Sequence, residues 1–182
     1  RHRHENRVRF PSLRNLSLTA NLEYFQIQIG LTTSQWGLGM VANDGEHEPF
    51  FGQPEFGDRV VRARITTKPT PDGPWFFTVA WDRVIQDDLT LDARTQWSNQ
   101  AVLSGLWRQN DDQAGVSAIF RRQEEVPEAR STSATAIDAY TKIQTPIAEG
   151  VNLKLGIEAA GMTGKTNRTT TYNSPKRLHI LS

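Results

Sequence analysis

Residues 75–84 read WFFTVAWDRV, and their alternation decides the fold. One set of positions gives Trp75, Phe77, Val79 and Trp81; the other gives Phe76, Thr78, Ala80 and Asp82. An extended strand sends successive side chains to opposite faces, so one face is aromatic and apolar and the other is mixed. The same period of two recurs downstream. In QAVLSGLWRQ (100–109), Ala101, Leu103, Gly105 and Trp107 oppose Gln100, Ser104 and Arg108. In AGVSAIFRRQ (114–123), Ala114, Val116, Ala118 and Phe120 oppose Ser117, Arg121 and Gln123. Residues Asn110-Asp111-Asp112-Gln113 between them are good turn formers, so the two runs form a hairpin.

The pattern continues toward both ends. In ATAIDAYTKIQT (134–145), Thr135, Ile137, Ala139, Thr141 and Ile143 oppose Asp138, Tyr140, Lys142 and Gln144. In VNLKLGIEA (151–159), Val151, Leu153, Leu155, Ile157 and Ala159 oppose Asn152, Lys154, Gly156 and Glu158. RVVRARITTK (59–68) is a further strand. LSLTANLEYFQIQIGL (16–31) is strand-like, but its apolar phase switches between Tyr24 and Phe25, which predicts a bulge or a turn there. Polar or Gly/Pro-bearing connections fall at Asn43–Asp58, Pro69–Pro74, Val126–Ser131 and Lys165–Pro175. No stretch has a helical period, and roughly 8–10 strands are expected.

AAGMTGKT (159–166) fits a loose phosphate-binding loop, A-x-x-x-x-G-K-[ST]. That chemistry needs a helix to start behind the loop, so that its N-terminus favours the anion. The residues directly behind it, Asn167 to Pro175, are rich in threonine and turn formers and end on a proline. They make a poor helix, and the stretch reads instead as a strand ending in a Gly-containing loop.

The 182 residues suit a single domain spanning 1–182, or a fragment of a larger barrel, with 1–9 a flexible basic arm. A net charge of +1 points to no polyanionic partner, and no nucleic-acid-reading motif accompanies the N-terminal arginines. The absence of cysteine removes disulfides and thiolate metal sites. His2-Arg3-His4-Glu5 is a terminal run flanked by arginines and is not read as a metal site; no metal or cofactor is expected. The acid pairs Asp87-Asp88, Asp111-Asp112 and Glu124-Glu125 point to opposite faces if extended and are read as solvated. No local nucleophile-base arrangement is present, so no enzyme is expected.

Mean hydropathy is −0.55. A soluble β-sandwich and a transmembrane barrel both fit that value, because barrel strands are only half apolar. A sandwich hides its apolar faces in a core; a barrel turns them to lipid and keeps the polar set around a wet lumen. Two features favour the barrel. Segments 75–86 and 132–145 are longer than ordinary soluble strands and match the ~9–11 residues that cross a bilayer at a tilt. Short turns also alternate with longer loops. The expected fold is therefore all-β: an antiparallel up-and-down transmembrane barrel or part of one, with the sandwich as alternative.

The segment 32–60 carries Trp36-Gly37-Leu38-Gly39, then Asn43-Asp44-Gly45, then Phe56-Gly57-Asp58. This series resembles one in a family of outer-membrane-type proteins from predatory and gliding deltaproteobacteria. AIFRRQ and LGIEAAGMTGKT are similar to that family's barrel strands. The resemblance covers about half the chain. It implies a Gram-negative outer-membrane barrel with porin-like architecture, and no particular substrate.

The expected function is passive passage of small polar solutes through a charged lumen in the bacterial outer membrane. The lumen candidates are Asp82, Arg108, Arg121, Asp138, Lys142, Lys154 and Glu158, since mixed charges across a pore orient solutes and set ion preference. An ordinary wetted sheet face with weak surface ion pairs is the plainer account of the same residues. Trp36, Asn43, Asp44 and Asp58 are candidates for a loop that folds into the pore or binds a ligand. A turn-rich connection satisfying its own backbone is the favoured account of that region. Expected partners are the lipid bilayer, small polar solutes, and further copies of the chain or other envelope proteins. The alternatives are a non-conducting, partner-binding barrel and a secreted or periplasmic sandwich that binds carbohydrate through exposed tryptophans.

Overall fold

A computed structural model describes residues 15–42, 58–86, 96–125, 130–167 and 176–181. The alternating segments form nine strands: β1 (Leu16–Asn21), β2 (Phe25–Thr33), β3 (Arg59–Thr67), β4 (Trp75–Gln86), β5 (Gln96–Gln109), β6 (Asp112–Glu125), β7 (Arg130–Ala148), β8 (Val151–Thr166) and β9 (Lys176–Leu181). They lie in one sheet in sequence order, each antiparallel to the next. The described residues contain no helix. The expected up-and-down topology is therefore present, in one sheet and not in the two stacked sheets of a sandwich. Among the described residues the sheet does not close on itself, because β1 pairs only with β2 and β9 only with β8.

Turn chemistry accounts for the local order. The phase switch at Tyr24/Phe25 is a turn, with Leu22 N–H donating to Phe25 O at 2.7 Å. The β5–β6 connection is tighter than the sequence suggested. Only Asn110 and Asp111 lie between the strands, and Asn110 takes a φ of 54°, which asparagine tolerates better than most residues. Asp112 and Gln113 belong to β6. AAGMTGKT lies wholly inside β8, so the Gly-containing loop expected there is corrected. Gly161 and Gly164 pair with Ile137 and Ala134, and the strand runs on to Thr166. β7 includes Pro146, where the pairing shifts register before Ala148; proline cannot donate to the ladder, and irregular positions tolerate it.

The two ends of the sheet differ. Residues 22–24, 68–74, 110–111 and 149–150 connect strands at one end. Residues 34–58, 87–95, 126–129 and 167–175 connect them at the other. Three connections of the first set have two or three residues and 68–74 has seven, whereas three of the second set have nine or more and 126–129 has four.

Exposure is inverted relative to a soluble domain. The fully buried side chains include Asp82, Asp138, Ser98 and Ser117. Large apolar groups are exposed on every strand from β1 to β8: Leu18, Ile29, Ile65, Val79, Leu103, Val116, Ile137 and Ile157 among them. The register aligns these into outward rows such as Gly161–Ile137–Ala118–Leu103–Val79–Ile65–Ile27. Toward the long-connection end the outward row Lys165–Ser133–Arg122–Asn99–Arg83 is polar. Beyond it Arg83 stacks over the Trp97 ring at 3.9 Å. Soluble monomers seldom expose contiguous apolar surface on this scale.

Candidate functional site: the polar interior

The other face of every long strand points inward, and the segment 34–42 lies against it. Ser34 reaches Arg62 on β3, and Leu38 reaches Glu158 on β8. In a flat sheet β3 and β8 would stand about 24 Å apart, five spacings of ~4.8 Å. One short segment touches both, so the sheet curls around it. The segment folds back on itself: Trp36 N–H donates to Ala42 O at 3.1 Å, and Gly39 N–H to Trp36 O at 3.1 Å.

Two contacts fix its depth. The Trp36 indole meets Tyr140 edge to face, with ring centroids 5.3 Å apart. It sits over Gly115, where an added Cβ would come within 3.0 Å of Cη2 of Trp36 and 2.9 Å of Cε1 of Tyr140. The Leu38 N–H donates to Glu158 Oε2 at 2.7 Å. Gly37 takes a φ of 57°, and a Cβ there would lie 2.7 Å from Glu158 Oε1. The positive φ favours glycine at 37, and a side chain there would have to displace the Glu158 carboxylate that holds Leu38.

Near the long-connection end the interior holds a buried ion pair. Arg62 donates from Nε to Asp82 Oδ1 at 2.7 Å and from Nη2 to Oδ2 at 2.7 Å. Its Nη2 also donates to Ser34 Oγ at 2.9 Å, and Gln100 donates to Asp82 Oδ2 at 3.0 Å. A bidentate pair with satisfied lone pairs can remain charged out of water. Arg121 belongs to the same inward row and donates to Gln123 Oε1 at 3.2 Å.

The register brings all seven lumen candidates to the inner face, but it separates their charges. Asp82 is consumed by Arg62. Glu158 is tied to the Leu38 backbone, and the Asp138 carboxyl lies against Glu158. Asp138 is 1% exposed, and neither of its oxygens receives a hydrogen bond among the described residues. Ser117, its partner across the β6–β7 ladder, is likewise buried with an unengaged hydroxyl. Arg108, Lys142 and Lys154 instead line an open cavity of about 770 Å³, together with Arg62 and Arg64. Mixed charges thus share the inner face, but among the described residues the cavity lining holds cationic groups and no carboxylate, while Asp82, Asp138 and Glu158 lie in the wall beside it.

The loop candidates divide. Trp36 is inside: residues 34–42 are turn-rich and bond their own backbone, and the same segment also reaches into the interior. Asp58 directly precedes β3, its carbonyl accepting from Ser34 N–H at 3.0 Å. Asn43 and Asp44 lie outside the described residues, as do the 1–9 arm, His2–Glu5 and Asp87-Asp88. Arg62, Arg64, Ser117 and Tyr140 were not among the candidates. Arg62 and Arg64 alternate with Val61, Ala63 and Ile65 in sequence, so the period that found Asp82 could have found them too. Among the described residues no cluster of three or more His, Cys, Asp or Glu groups could hold a metal ion.

The packing of Trp36 on Gly115 gives a direct expectation. Gly115→Leu should expel the indole from its seat and shift Trp36 emission to longer wavelength, read in a chain whose other tryptophans are phenylalanine. Unchanged emission would mean that Trp36 does not occupy this seat.

The chain matches no protein-family model, no curated protein and no solved structure.

Proposed function

We propose that this chain is the wall of a porin-like β-barrel of the bacterial outer membrane, passing small polar solutes through its interior. The observation that carries the reading is the inverted polarity of the strands. Val79, Trp81 and Ile157 are each more than half exposed on the outward face, while Asp82 and Asp138 are buried on the inward one. A bilayer gives that outward surface an apolar solvent, and pairing on both sides satisfies the backbone groups of β2 to β8 that lipid cannot. Mostly short connections at one end and mostly long ones at the other fit the asymmetry of such barrels. The Trp36-Gly37-Leu38-Gly39 resemblance points the same way. Segment 34–42 then acts as a constriction that sets the size of solute admitted.

The test is partitioning. The chain should refold to a monodisperse β-rich species in detergent or bilayers and not in plain buffer. In single-tryptophan chains, brominated lipid should quench Trp81 strongly and Trp36 weakly. A folded monomer in buffer, or equal quenching of the two, would sink the membrane reading.

The interior contacts of Trp36 and Leu38 favour a second reading, a plugged barrel that binds a partner. Insertion without solute flux in a liposome-swelling assay would select it.

A further inference from the structure

The charges inside the sheet are sorted by position along the strands. Toward the long-connection end, Asp82 and Arg62 neutralise each other. Midway, Glu158 holds the Leu38 N–H, and Asp138 packs against Glu158 in the wall. Toward the short-turn end lie Arg108 and Lys142, on one register row with Gln113 between them, and Lys154 on β8. All three line the cavity, and its lining includes no aspartate or glutamate among the described residues. Arg64 joins them from β3, with its Nη2 donating to Gln26 Oε1 at 3.1 Å. Phe76 and Leu106 lie directly opposite each other on the wall of the same cavity.

From this segregation we infer that the cavity selects anions, and that Arg108, Lys142 and Lys154 are the residues that select them. The inference rests on the porin-like reading for its physiological meaning, but the charge of the cavity is measurable without it. Cationic groups lining a low-dielectric recess focus the field and raise the local concentration of anions. Rings of Arg and Lys select anions in pores by the same means. Phe76 and Leu106 add an apolar wall, which suits small organic anions such as monocarboxylates.

Two measurements separate the parts. A chain keeping only Trp36, with Trp75, Trp81, Trp97 and Trp107 changed to phenylalanine, is folded in non-ionic detergent. Trp36 lines the cavity, so an ionic quencher must enter to reach it. With each constant divided by that of the same quencher on free N-acetyltryptophanamide, iodide should quench Trp36 more strongly than caesium, and K142E combined with K154E should invert that order. Acrylamide, being neutral, should quench both chains alike, which verifies that the variant is folded. A normalised caesium constant equal to or above that of iodide in the parent chain overturns the inference. In planar bilayers under a potassium chloride gradient, the reversal potential should take the sign of chloride selectivity, and the double variant should move it toward potassium. A conducting pore that prefers potassium overturns the inference. Preferred iodide quenching without any conductance would uphold the anionic preference and defeat the porin-like reading alone.

Discussion

Asp82→Ala should destabilise the folded chain by about 3–5 kcal/mol, the cost of leaving one member of a buried ion pair uncompensated. The loss falls on Arg62. Its side chain is 10% exposed and its guanidinium makes two bonds of 2.7 Å to Asp82; without them its remaining hydrogen-bond partner among the described residues is Ser34. The effect should appear as a lowered urea midpoint in detergent micelles, followed by tryptophan emission, with an unchanged dependence on denaturant. A paired replacement distinguishes lost attraction from stranded charge. Arg62→Met with Asp82→Leu removes both charges and keeps apolar volume, and it should recover most of the loss, since such exchanges are often neutral or stabilising. If Asp82→Ala costs under about 1 kcal/mol, the pair behaves as a solvated surface bridge and the interior is wetter than the geometry implies.

The contrast between Asp82 and Trp36 explains what could be read from sequence. Asp82 sits in an alternating strand, and the period of two assigned its face before any neighbour was known. Its true partner, Arg62, lay in an equally alternating stretch twenty residues earlier, and only the β3–β4 register puts the two opposite each other. Lys142, Lys154, Arg108 and Arg121 were placed on the inner face by the same period. What alternation does not carry is which inner charges meet each other and which meet solvent. Glu158 looked equivalent to Lys154 in sequence. It became a wall residue because the Leu38 N–H comes to it from a segment 120 positions away. Trp36 belongs to a stretch without period, rich in glycine, where local chemistry signals a turn but not where that turn docks. Gly115 and Gly156 decide the docking by leaving room for Trp36 and Leu38, and neither glycine announces that purpose in its own strand. Face was legible because it is local; the constriction was not, because long-range complementarity creates it.

Val79→Arg should cost about 2–4 kcal/mol if the outward face meets the middle of a bilayer, because a cation there must be drawn out of water. Val79 is 59% exposed, and its outward neighbours Leu103 and Ile65 are 46% and 51% exposed, so no steric clash contributes to the loss. In water the same substitution at so exposed a site should fall within about 0.5 kcal/mol of zero. Asn99→Arg supplies the depth control. Asn99 lies in the polar outward row with Arg83 and Arg122, two residues along β5 from Ala101, which pairs with Trp81. At a membrane interface arginine should cost only about 0–1 kcal/mol. The informative quantity is the difference between the two variants, measured as unfolding free energies in phospholipid vesicles. A gap of about 2 kcal/mol or more corresponds to a roughly thirtyfold change in the folded-to-unfolded ratio and places the apolar rows in hydrocarbon. Equal and small costs at both positions would mean that water or protein covers this face; the polar row would then be ordinary surface, and the sheet would have to bury its apolar side by pairing with another copy.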